Sequence, residues 1–93
     1  MTTLAHKISG TPLRRKKDAW VVEIQAGLKD KWRESRFGNL SYTDQQAGQW
    51  RIRFLTNVIR CEGMTSRGTW VLLRTILMDK DCVRNTIVWA EQR

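Results

Sequence analysis

The sequence predicts an α+β domain of order β-β-α-β-β, two β-hairpins packed against one long amphipathic helix, with a hairpin plus an extra helix as the variant. Three observations predict it. A continuous apolar stripe at helical spacing runs from Ser41 to Gly63, residues 20–26 alternate apolar and polar, and two runs rich in β-formers flank Asp79-Lys80-Asp81.

Residues 1–18 read as a flexible basic arm ahead of a single domain at 19–93. Leu4 to Ile8 has the pattern of a short edge strand, and His6 reads as a surface histidine. Gly10 and Pro12 then punctuate the chain ahead of Arg14-Arg15-Lys16-Lys17, four adjacent cations that repel one another.

Trp20, Val22, Ile24 and Ala26 share one face of an expected strand, with Glu23 and Gln25 on the other. Gly27 to Asp30 supply a turn. Lys31 to Phe37 form the expected hairpin partner, cationic enough to belong at an edge or on an exposed face.

Ser41 is placed to cap the predicted helix, with Asp44 at the third residue beyond it, where a carboxylate meets the positive end of the helix dipole. Ala47, Trp50, Phe54, Val58 and Cys61 fall on one side, widened by Ile52, Leu55 and Ile59, and Gly63 provides the stop. Gln49, Arg53, Thr56 and Arg60 line the opposite side. Arg51 lies within the apolar arc, which calls for a stem along the apolar edge and a guanidinium reaching water or an acid.

Thr69 to Met78 fits strand by composition and helix by the spacing of its leucines. A second hairpin, closed by Asp79-Lys80-Asp81 and completed by Cys82 to Ala90, is preferred.

Ninety-three residues suffice for one core, and no stretch approaches the roughly 20 apolar residues of a membrane span. With no apolar leader in residues 1–9, a soluble, intracellular, cytoplasmic protein is expected. Cys61 and Cys82 are expected as buried thiols, and no cofactor or metal site is expected, because one histidine and no Cys-x-x-Cys leave zinc without a ligand set. Asp79 and Asp81 are explained by turn chemistry, no nucleophile elbow or glycine-rich phosphate loop occurs, and the chain is expected not to be an enzyme.

Charge is the functional clue. The formal net charge is +8, and residues 1–36 hold nine Lys/Arg against four acids, so +5 of it lies in the first part of the chain. Such an excess favours polyanions, of which nucleic acid is the commonest in a cell. The expected function is therefore a small non-enzymatic binder of DNA or RNA. Arg14, Arg15, Lys16, Lys17, Lys31, Arg33 and Arg36 would contact phosphates and Arg53 and Arg60 would extend the patch. Trp32, between Lys31 and Arg33, is the one aromatic expected to be exposed and available for base stacking.

The alternative is a protein-protein inhibitor or adaptor. Short, basic, tryptophan-rich chains without catalytic machinery are common among phage and mobile-element proteins. Such a chain could dock on an acidic surface of a host nucleic-acid enzyme, a nucleoprotein complex or a CRISPR effector.

Overall fold

The computed structural model describes residues 12–93, so the expected edge strand at Leu4 to Ile8 and His6 lie outside the described residues. The chain forms helix α1 (Pro12–Leu28), strands β1 (Arg33–Glu34), β2 (Leu40–Asp44), β3 (Gly48–Phe54), β4 (Val58–Met64) and β5 (Trp70–Leu77), and helix α2 (Cys82–Glu91). The order α-β-β-β-β-β-α replaces the expected β-β-α-β-β, and no long central helix exists among the described residues. The strands form one antiparallel sheet in simple sequential order.

Residues 12–28 are helical because their apolar residues satisfy a period near four as well as a period of two. Ile24 and Leu28 are buried, with Trp20 and Val21 packed beside them, whereas Val22, assigned to the buried face of the expected strand, is 60% exposed. Pro12 suits a first turn, where its missing N–H costs nothing. The expected division at residue 18 falls inside this helix. Lys17 is tied down: its ammonium donates to Thr56 O (3.1 Å) and Asn57 Oδ1 (2.9 Å) at the β3–β4 turn.

The predicted central helix is replaced by β2, β3 and β4. Trp50, Ile52 and Phe54 alternate along β3, and Ile59 and Cys61 along β4, while the turn at Leu55 to Asn57 offsets the two series so that together they mimic a helical stripe. Asp44 does bind backbone N–H groups, but to close the β2–β3 turn: it accepts from Gln46 (2.8 Å) and Ala47 (2.9 Å). These bonds, Ala47's first, hold its carboxyl below the ordinary value. Gly48 completes the turn at φ 126°, a conformation that favours glycine.

β5 is the strand preferred for residues 69–78, but the stretch after it is helix α2. Asp79 organises the connection by accepting the Asp81 N–H on Oδ1 (2.9 Å) and the Cys82 N–H on its carbonyl (3.0 Å). In α2, Cys82, Thr86, Trp89 and Ala90 recur at helical spacing and are the buried residues.

The two helices share one face of the sheet. Paired strand residues lie on the same face, so Leu40, Ile52, Cys61 and Arg74 belong to one row, and Ile59 and Ile76 to the same side. Leu40, Ile52, Cys61, Ile59 and Ile76 join Ile24 and Leu28 of α1 and Cys82, Trp89 and Ala90 of α2 in a single core. Gly27 lets the helices approach, since a Cβ there would come within 2.8 Å of Ile87 Cδ1. Both cysteines are free and buried, and burial pushes the Cys61 thiol up to about 12 and the Cys82 thiol up as well.

Trp32 corrects the expectation that it would be exposed. It is buried at 3% exposure, with ring centroids 5.6 Å from Tyr42 and 6.1 Å from Trp89, and Tyr42 stacks in turn on Trp50 at 5.6 Å. Its charged neighbours mislead for different reasons: Lys31 reaches over the same side, its ammonium 4.6 Å above the Tyr42 ring, and Arg33 belongs to the opposite face. No helix among the described residues is long and apolar enough to cross a membrane.

Candidate nucleic-acid interface

The second face of the sheet carries no helix among the described residues, and strand alternation fills it with arginine. One row crosses all five strands: Arg33 pairs with Ser41, Ser41 with Arg51, Arg51 with Glu62, and Glu62 with Leu72. A neighbouring row holds Arg53, Arg60 and Thr75. The first row continues past Glu62 only because a bulge adds Leu73 between the partners of Glu62 and Cys61.

Glu62 is the centre of this face. Its side chain is only 4% exposed, yet three arginines reach it. Arg51 Nε donates to Oε1, Arg60 Nε lies 3.1 Å from Oε2, and Arg53 Nη1 lies 3.7 Å from Oε2. The Arg51 guanidinium also lies 4.2 Å above the Trp70 ring. Arg51, expected on the apolar arc of a helix with its guanidinium reaching water or an acid, sits instead on a strand and reaches the acid Glu62.

Three guanidiniums against one carboxylate leave a local surplus of two positive charges. The other strand acids, Glu34 and Asp44, pair with Leu40 and Gly48 and so lie on the helix-covered face. The arginine side chains keep 30–39% of their surface in water while Glu62 fixes their position. A guanidinium has five N–H donors, so a shared carboxylate leaves donors free for a second anion. Ser41, Thr43, Gln49 and Thr75 add neutral hydrogen-bonding groups to the same face.

The expected site residues are dispersed by the fold. Arg53 and Arg60 come together, joined by Arg33 on the same face. Arg14 lies in the first turn of α1, Lys16 is exposed on α1, Arg15 is half-buried, and Lys17 is held at the β3–β4 turn. Lys31 donates to Arg93 O at 3.3 Å on the helix side. Arg36 stands at the β1–β2 turn with its guanidinium 5.4 Å from the ring of the exposed Phe37.

Arg51, Glu62 and Trp70 were not among the expected site residues. Their signal is charge at alternate positions, Arg51-x-Arg53 and Arg60-x-Glu62, which in a strand shares one face. Among the described residues no three of His, Cys, Asp and Glu gather as metal ligands would. Comparison with family models, with curated proteins and with solved structures finds no match to this chain.

Proposed function

We propose that the protein binds single-stranded nucleic acid on the open face of its sheet, with Arg51, Arg53 and Arg60 on the phosphates and Arg33 extending the track. The observation that carries this reading is the arginine cluster pinned on a buried carboxylate, with no exposed strand acid opposing it among the described residues. Fixing a guanidinium before the ligand arrives lowers the ordering cost of binding. A broad sheet face, without a helix among the described residues and with Trp70 beside the cations, suits splayed bases better than a duplex groove, which is read by an inserted helix or ribbon.

The test is a salt titration of the purified chain with fluorescent single-stranded DNA and RNA. Engaging about three phosphates predicts a log–log slope of about −2. Absence of binding at low salt, or binding indifferent to salt, contradicts the proposal. A protein partner retained in stoichiometric amount after nuclease treatment would favour an adaptor that uses the same arginines on an acidic protein surface.

A further inference from the structure

The β1–β2 turn is held by its own hydrogen bonds and presents an aromatic ring that the core does not use. The Gly38 N–H donates to Ser35 O (2.9 Å), the Phe37 N–H donates to Ser35 Oγ (3.3 Å), and Gly38 takes φ 86°, the left-handed conformation that favours glycine. Gln25 of α1 donates from Nε2 to Gly38 O (2.7 Å), which ties the turn to the helix layer. None of these bonds involves the Phe37 side chain. At 81% exposure it is the most exposed large apolar side chain among the described residues, and the Arg36 guanidinium lies 5.4 Å from its ring centroid.

We propose that Phe37 is the stacking platform for one unpaired nucleobase of the strand whose phosphates lie on Arg53 and Arg60. This deepens the nucleic-acid reading and rests on it. The sheet register sets the turn at the end of an arginine row. Arg60 pairs with Arg53, the β2–β3 register continued by one residue sets Asn39 opposite Arg53, and the Ser35 N–H donates to Asn39 O (2.8 Å). Neighbouring strands lie about 4.8 Å apart, so Ser35, where the turn begins, stands about 10 Å from Arg53. A short run of nucleotides spans that gap.

Charge and ring together select the occupant. Arg33, two residues before Ser35, shares its face, and Arg36 keeps a second cation beside the ring. Glu34, the acid nearest to Phe37 in the chain, belongs to the helix-covered face. An acidic protein surface would engage the arginines and gain nothing from an aromatic face. A nucleic acid brings both phosphates for the cations and, whatever its sequence, a flat base for the ring.

Fluorescence anisotropy with the full chain tests this on two labelled probes of equal length and charge, an oligothymidine and an abasic oligonucleotide. Phe37→Ala should weaken oligothymidine binding about tenfold, within the range for loss of one stacked base, with the salt slope and the circular dichroism unchanged. Phe37→Trp should retain the wild-type affinity, whereas Phe37→Leu, apolar but without a π-face, should bind as weakly as Phe37→Ala. On the abasic probe the wild type and Phe37→Ala should bind alike. If Phe37→Ala fails to fold, Phe37→Leu decides in its place. Undiminished oligothymidine binding by Phe37→Ala or Phe37→Leu, or the same loss on both probes, would overturn the stacking site and leave the arginine track standing. A wild-type chain that binds neither probe at low salt would overturn both.

Discussion

The two faces of the sheet are built by the same alternation and meet opposite fates. On one, Leu40, Ile52, Ile59, Cys61 and Ile76 are sealed under two helices. On the other, Arg51, Arg53 and Arg60 gather on Glu62 and keep 30–39% of their side-chain surface in water. Stability on the first face comes from removing apolar surface from water and filling space. On the second it is ionic, and it depends on one buried carboxylate that would be a liability without its arginines. The contrast gives the covered face to holding the fold and makes the open face the place for the proposed binding.

Truncation should separate the faces most strongly. Ile52→Ala, at a fully buried position, is expected to cost about 3 kcal/mol in urea unfolding, as cavity-forming changes do. Leu72→Ala, in the open-face row and 48% exposed, should stay within about 0.5 kcal/mol. Similar costs at the two positions would mean that the open face is covered in solution.

Removing the carboxylate should have the next largest effect. Glu62→Gln keeps the shape but leaves three guanidiniums repelling one another. Because those groups are partly in water, the expected loss is about 2 kcal/mol, below that of a fully buried broken pair. Single-strand binding by the variant, measured below its unfolding midpoint, should weaken as the guanidiniums lose their fixed positions, although the local surplus rises from two charges to three. Tighter binding would instead make net charge more important than the orientation imposed by Glu62.

The covered face also predicts a pH dependence. Burial raises the Cys61 thiol from an ordinary value near 9 to about 12, so the folded state keeps a proton that the unfolded chain releases. The contribution is fully present below pH 9 and is lost as pH rises toward 12, with a slope of up to about 1.4 kcal/mol per pH unit. The Cys82 shift adds in the same direction. Cys61→Ala should flatten the alkaline limb in pH-dependent denaturant titrations; an unchanged limb would assign it to other groups.

The sequence displays strand and helix periods that coincide in places, and this governs how far it can be read. β5 is legible because Trp70, Val71, Thr75 and Ile76, all β-formers, make up half of it. The stretch from Ser41 to Gly63 is not, because Trp50, Phe54, Val58 and Cys61 step by four or three while Trp50, Ile52 and Phe54 step by two. Asp44 resolves nothing locally, since a helix N-terminus and an Asx turn use the same carboxylate–amide bonds. Trp20, Ile24 and Leu28 suit a helix as well as Trp20, Val22 and Ile24 suit a strand, and only packing against α2 decides. The site was half legible: Arg53 and Arg60 are visible as a pair, and Arg51 stood out as a charge on an apolar arc. Glu62 as their common anchor needs the strand register.

The central claim is that position on the open face, rather than net charge, carries binding. The most direct measurement is the salt dependence of single-strand affinity for two variants with equal loss of charge. One is Arg53→Gln with Arg60→Gln, and the other is Lys29→Gln with Arg84→Gln at exposed positions off the sheet. The account predicts that the first pair flattens the log–log slope by about 1.4 while the second leaves it near the wild-type value. Equal losses in the two variants would contradict it.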